Sequence, residues 1–231
     1  MITIQQTQKT YGDTPAVNIP GLEISTGEIV GLVGNNGAGK TTLFRLLLDL
    51  VRADKGEIRS KGSNVATTEA WKQYTAAYLD EGFLIQYLTP EEYFYFVGSL
   101  HNKSKVDVDE FLQRLATFFA DNILRSGKYI RDLSKGNQFK VGIAACLLRD
   151  PELLILDEPF ANLDPSSQQR LILMLKGLAA EHRVTILISS HDLNHITDVC
   201  HRILLMEKGR IIQDIDTTAE TREQLETYFK V

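Results

Sequence analysis

A lysine and two threonines close a run of small residues, Gly34-Asn35-Asn36-Gly37-Ala38-Gly39-Lys40-Thr41-Thr42. The spacing G-x-x-x-x-G-K-[ST] suits a loop that holds phosphates. Its glycines let successive backbone N–H groups turn inward around anionic oxygens. Lys40 adds a point charge within reach of the outer phosphates, and Thr41 offers a hydroxyl to Mg²⁺. A helix beginning near Lys40 points its positive dipole end at the same anion. A Gly-rich turn can match such a pattern by chance, but the flanks argue against it. Glu28-Ile29-Val30-Gly31-Leu32-Val33 reads as a buried strand, and Leu43-Phe44-Arg45-Leu46-Leu47-Leu48 as a helix.

A second group of side chains complements the loop. Leu153-Leu154-Ile155-Leu156 is a continuous apolar run ending in Asp157-Glu158, the pattern of a parallel strand buried on both faces. Open α/β sheets collect ligands at the carboxyl ends of their strands. There Asp157 can hold Mg²⁺, directly or through water, as the acidic partner of Thr41. Glu158 can orient and deprotonate an attacking water, help worth roughly 10²–10⁴-fold. His191 follows the apolar run Val184-Thr185-Ile186-Leu187-Ile188 and two serines. It should emerge at the same edge, as a γ-phosphate sensor or transition-state donor. Taken singly, a solvated acidic loop and a structural strand-end histidine are the plainer readings.

Three further stretches need weighing. Leu133-Ser134-Lys135-Gly136-Asn137-Gln138 opens a helix with Ser134 as N-cap. Gly136 would let a second anion come close to that helix start, folded back in one chain or supplied by a second chain head to tail. Tyr11, beside Gly12-Asp13, is either a half-buried turn tyrosine or a ring for a purine to stack on. His191-Asp192-Leu193-Asn194-His195 approaches the zinc spacing H-E-x-x-H. That motif needs both histidines on one helical face, whereas His191 is expected at a strand end without a third ligand. The zinc reading is set aside, and His101, His182, His195 and His201 read as surface residues.

The elements that must position these groups follow in order. Residues 1–33 suggest short strands, with Ile2, Ile4 and Gln6 on one face and Leu22 and Ile24 on another. Lys55–Arg59 suggests a tight turn into a strand, and Ala76–Leu79 reads as a strand. Thr89-Pro90-Glu91-Glu92 is a helix start, after which Tyr93, Phe96, Val97 and Leu100 share a stripe. That stripe reads as subdomain core or, alternatively, as part of a docking groove. Helices are expected over Val108–Ala120, Ser134–Leu148, Ser166–Ala180, Asp192–Val199 and Thr217–Phe229, with strands at 153–156 and 184–188 and a hairpin around Glu207-Lys208-Gly209. Residues 89–149 thus read as a helical insert between two halves of an α/β core.

The 231-residue chain is 43% hydrophobic with a net charge of −5, so nothing electrostatic favours a nucleic-acid surface. No apolar run approaches the ~18 residues of a membrane span, and the N-terminus lacks the pattern of a signal peptide. Membrane association is expected through a partner. Cys146 and Cys200 are expected as buried, reduced thiols.

In their order and spacing these stretches resemble an ATP-binding cassette (ABC) ATPase over nearly the whole chain. Gly34–Thr41 resembles the Walker A loop, Leu153–Glu158 the Walker B strand and Leu133–Asn137 the signature motif. Ala161-Asn162-Leu163-Asp164 resembles the D-loop and His191 the switch histidine, and Tyr11 matches the adenine-stacking aromatic. The resemblance implies an α/β P-loop NTPase with a RecA-like core, an N-terminal antiparallel β subdomain and an inserted α-helical subdomain, divided at 1–88, 89–150 and 151–231. It implies ATP and Mg²⁺, with Glu158 and His191 catalytic. Tyr11, Gly34, Asn35, Asn36, Gly37, Ala38, Gly39, Lys40, Thr41 and Thr42 would contact nucleotide. Thr41, Asp157 and Glu81 would face the metal. Ser134 and Gly136 would cover the γ-phosphate of a second, head-to-tail cassette, in a homo- or heterodimer. A separate membrane-spanning permease would hold the pair at the cytoplasmic face of the membrane.

Three positions depart from the family pattern: Lys135 for glycine, Asn137 for glutamine and Glu81 for the Q-loop glutamine. Lys135-Gly136-Asn137 is similar to variants in some export-type (ABC-2-like) cassettes, so an exporter subunit is expected. The alternative is a soluble cassette acting as an assembly or scaffold factor.

Overall fold

The computed structural model describes residues 1–79, 83–119 and 123–218, with Thr221 and Leu225; of His182 and Asn194 only the backbone is described. Glu81, Ala120 and most of the expected closing helix at 217–229 lie outside the described residues.

The apolar runs form a six-stranded sheet in the order β10-β9-β3-β8-β7-β6. Its strands are β3 (Ile29–Val33), β6 (Thr75–Tyr78), β7 (Leu153–Leu156), β8 (Thr185–Ser190), β9 (Arg202–Glu207) and β10 (Arg210–Asp216). β9, β3, β8, β7 and β6 pair in parallel; β10 closes one edge as an antiparallel hairpin with β9. Each central strand is buried on both faces. Ile29 and Val33 of β3 and Leu154 and Leu156 of β7 face one core, while Val30, Leu32, Leu153 and Ile155 face the other.

The second core is closed by helix α1 (Lys40–Leu47) and by an antiparallel sheet, β2-β1-β4-β5. That sheet comprises β1 (Ile2–Tyr11), β2 (Thr14–Ile24), β4 (Lys55–Ser60) and β5 (Ser63–Asn64). Ile2 and Ile4 are buried as expected, but the alternation breaks at Gln6. Its φ is +45°, the pairing register with β4 shifts between Gln5 and Gln8, and buried Thr7 takes the inward place. This bulge re-aims the strand by one residue.

Helices α2 (Pro90–Leu100), α3 (Lys105–Arg114), α4 (Ala116–Phe119) and α5 (Lys135–Leu147) come between β6 and β7. Thr89 and Ser104 each form a capping box, with Glu92 and Asp107. The single helix expected over 108–120 therefore starts three residues earlier, and it breaks at Leu115. On α2 the fully buried residues are Pro90, Phe94 and Gly98, with Tyr93 and Val97 partly covered. Phe96 and Leu100 of the expected stripe are exposed. Phe94 packs on Phe119, ring centroids 5.7 Å apart. Helices α6 (Pro165–His182) and α7 (Leu193–Val199) pack on the first core.

Candidate active site

β3, β8 and β7 are neighbours, so their carboxyl ends bring three separate sequence stretches to one edge. From β3 the chain enters the loop at Gly34, whose N–H donates to the Ser190 carbonyl at the end of β8 (3.3 Å). Gly39 caps α1 with φ +108°, a conformation open to glycine at little cost. The loop is wedged from behind. A Cβ on Gly34 would meet the Met206 carbonyl at 2.2 Å, and one on Gly39 the Ala16 carbonyl at 2.2 Å. Gly209 in the β9–β10 turn donates to the Ala38 carbonyl (2.8 Å). This wedge, built by β2 and the hairpin, leaves no signal in the loop's own sequence.

Lys40 and Thr41 open α1. Lys40 is buried; its Nζ donates to the Gly34 carbonyl at 2.6 Å and lies 3.4 Å from Glu158 Oε1. Thr41 Oγ1 donates to Asp157 Oδ2 at 2.7 Å. His191 donates its backbone N–H to Glu158 Oε2 (3.2 Å), and its Nδ1 lies 2.8 Å from the same oxygen. The structure thus gathers Lys40, Thr41, Asp157, Glu158 and His191 into one contiguous network. Ser189 belongs to it as well: its Oγ contacts Asp157 Oδ1 and accepts the Glu158 N–H (2.9 Å).

The donor set bears on the metal. Thr41 and Asp157 offer two hard oxygens side by side beside a phosphate loop. Among the described residues, no three His, Cys, Asp or Glu side chains converge to hold an ion. Mg²⁺ fits such a site, because it keeps several waters and is held through one or two protein oxygens plus substrate phosphates. Glu81, expected to join them, lies outside the described residues. His195 stands on α7, its ring centroid 5.1 Å from that of Phe160, apart from the strand-end His191.

The second helix start is capped as expected and carries a further contact. Ser134 caps α5 by accepting the Asn137 N–H (3.3 Å). Gly136 is pressed onto the chain itself: a Cβ there would lie 2.5 Å from the Asn162 carbonyl. Its small size therefore also serves a contact with the segment after β7. Gln138 turns inward, donating to the Leu133 carbonyl at 3.0 Å, and so braces the turn before Ser134. Asp164 caps α6, accepting from Ser167 Oγ (2.6 Å), Ser166 Oγ (2.7 Å) and the Ser167 N–H (3.0 Å). Those hydrogen bonds, the Ser167 hydroxyl foremost, hold its carboxyl well below the usual carboxylate range. Lys140 Nζ lies 3.9 Å from Asp164 Oδ2, and burial pulls that ammonium down.

Tyr11 stands 49% exposed at the tip of the β1–β2 hairpin, with Lys9 Nζ 5.5 Å from its ring centroid. His201 is exposed, as expected, and its Nδ1 also accepts the Ile29 N–H (3.3 Å) at the foot of β3. Cys146 and Cys200 are buried and free, as expected.

A parallel sheet with a glycine-rich loop at the mouth of α1, and an acidic pair at the next strand but one, defines a P-loop nucleotide hydrolase. Residues 17–161 match the ABC transporter family, and the chain belongs to that family as an ATP-binding ATPase. It is 34% identical over 218 residues to an ABC transporter ATP-binding protein of Bacillus subtilis, YhaQ, covering 91% of this chain and 69% of the relative. It is 31% identical to a methionine import ATP-binding protein, MetN 1, of Shouchella clausii (93% and 64%). It is 32% identical to a bacitracin transport ATP-binding protein, BcrA, of Enterococcus faecalis (94% and 69%). The chain therefore spans about two thirds of the length of these relatives. Its fold matches an ABC transporter ATP-binding subunit with a TM-score of 0.84 at 26% identity, over 98% of this chain and 93% of that one. It matches a dimeric cassette, MJ0796, bound to ADP and phosphate with a TM-score of 0.83 at 22% identity, over 95% of this chain and all of the other. Among the described residues no helix is long and apolar enough to cross a membrane.

Proposed function

We propose that this chain is the ATP-hydrolysing subunit of an export-type ABC transporter, working as half of a head-to-tail pair. The observation that carries the hydrolytic role is the convergence of Lys40, Thr41, Asp157, Glu158 and His191 at one sheet edge. Gly34 to Thr42 bind the phosphates, with Tyr11 as the base-stacking ring. Thr41 and Asp157 hold Mg²⁺, which when bound neutralises charge on the phosphates. Glu158 takes the proton of the attacking water, and His191 keeps its carboxylate aimed. Residues 89–150 act as the helical subdomain. Ser134, at the exposed start of α5, covers the γ-phosphate bound by the partner cassette, and hydrolysis reopens the pair. A membrane-spanning permease carries the cargo and anchors the cassettes at the cytoplasmic face.

Export is favoured by the Lys135-Gly136-Asn137 variant of the signature and by likeness to a bacitracin transport protein; likeness to import proteins weighs the other way. Glu158→Gln keeps the shape of the carboxylate and removes the base. It should bind ATP, hydrolyse at least about 10²-fold more slowly and accumulate as an ATP-dependent dimer on size-exclusion chromatography. Hydrolysis at the wild-type rate would refute the role of Glu158. Membrane pull-down followed by reconstitution with the captured permease tests direction: ATP should drive cargo away from the side bearing this chain.

A further inference from the structure

We propose that Ser189 is a positioning residue of the hydrolytic site, setting the geometry of the metal-facing and the base-carrying carboxylates at once. The inference rests on the reading of Asp157 as the Mg²⁺ partner and Glu158 as the base. Ser189 is fully buried near the end of β8, in register with Leu32 of β3. Across β7 its predecessor Ile188 pairs with Leu156, the residue before Asp157. The hydroxyl therefore faces the acidic pair from the strand between the two motifs.

A seryl hydroxyl has one proton and two lone pairs, and both kinds of bond are made here. The proton goes to Asp157 Oδ1, and a lone pair takes the Glu158 N–H at 2.9 Å. With Oδ1 engaged, Oδ2 is the oxygen left facing Thr41, at 2.7 Å. Ser189 thereby fixes the rotation of the carboxylate that meets the metal-facing hydroxyl. Its second bond acts on the backbone. Glu158 has φ +50°, a left-handed conformation that glutamate seldom adopts and that the surroundings must hold. With the chain turned out of the strand there, Ser189 supplies the acceptor for its N–H. The turned backbone sends the Glu158 carboxylate toward Lys40 and His191. Outer partners of this kind typically change metal affinity or activity 10–100-fold when removed.

The test uses the full chain with Mg²⁺ and trinitrophenyl-ATP, whose fluorescence reports binding without turnover. Ser189→Ala should bind the analogue in EDTA as wild type does. Its half-saturating Mg²⁺ should rise about 10–100-fold, and kcat should fall more than KM rises. Ser189→Thr, which keeps the hydroxyl, should restore both. A folded alanine variant with wild-type Mg²⁺ dependence overturns the inference, as does a folded threonine variant no better than alanine. If alanine does not fold, Ser189→Cys carries the same criterion, because it keeps the volume with a much weaker donor and acceptor. Asp157→Asn is measured in parallel. If it leaves the Mg²⁺ dependence unchanged, the reading of Asp157 fails; if it raises the requirement while Ser189→Ala does not, only the role of Ser189 fails.

Discussion

Gly136→Ala tests whether the helix carrying the signature residues is clamped to the segment following β7. The new Cβ would lie 2.5 Å from the Asn162 carbonyl, about 0.9 Å short of the 3.4 Å at which ordinary contact begins. The obstacle is backbone, so a rotamer change cannot relieve it. Overpacking of this kind costs about 1–3 kcal/mol. Alanine also gains up to about 1 kcal/mol over glycine in a helix. The net loss is then about 1 kcal/mol, or roughly 2–4 °C in Tm for a chain of this size. Gly177→Ala is the internal control. It lies within α6, and nothing comes within 4 Å of its Cβ position. Only the propensity gain applies there, so Tm should rise by about 2–4 °C. Scanning fluorimetry of the two variants should give shifts of opposite sign. In a Glu158→Gln background, Gly136→Ala should also weaken the ATP-dependent dimer while leaving ATP binding by the monomer intact. A rise in Tm for both variants, with the dimer unaffected, would refute the clamp.

Tyr11→Ala should weaken ATP binding by about 1–3 kcal/mol if the ring stacks on the base, with Tyr11→Phe unchanged; equal Kd values by calorimetry for all three proteins would remove the ring from the site. Burial pushes the Cys146 thiol up to about 12 and raises Cys200 as well. At pH 8 neither should react with Ellman's reagent in the native protein, and both should react in guanidinium; rapid native labelling would contradict this. Asp164 titrates below its ordinary value in the folded chain. Its charge therefore adds stability above about pH 4, and that contribution is lost as pH falls through the depressed folded value. The urea midpoint of wild type should exceed that of Asp164→Asn by more at pH 7 than at pH 3, and an equal gap at both would argue against it.

Much of the fold is written in local patterns. The apolar runs at 153–156 and 184–188 announce strands covered on both faces, because no polar face is left for solvent. The phosphate loop is legible because its glycines, lysine and threonine are consecutive. Where the sequence misleads, the deciding partner is distant in the chain. Gln6 should face inward by alternation, but β4 shifts register opposite it. Phe96 and Leu100 fit a helical stripe, yet the groups that α2 packs against select Phe94 and Gly98 instead. The packing of Gly136 against Asn162 likewise has no local signal. The Ser104–Asp107 capping box is a local signal, and it could have fixed the start of α3 from the sequence.

The role of β8 shows why such partners escape a sequence reading. In chain order the phosphate loop follows β3 and the acidic pair follows β7, and neither motif mentions the strand that comes later. The sheet inserts β8 between them. Its last residues then serve both neighbours: the Ser190 carbonyl takes the Gly34 N–H, and the Ser189 hydroxyl takes the Glu158 N–H. His191, next in the chain, reaches the Glu158 carboxylate. The end of β8 thus touches both motifs, whereas each sheet edge touches one: the Tyr78 carbonyl that ends β6 takes the Asp157 N–H (3.0 Å), and Gly209 before β10 donates to the Ala38 carbonyl (2.8 Å). Coupling between binding and hydrolysis in this cassette should accordingly be more sensitive to changes at 189–191 than to changes at either sheet edge.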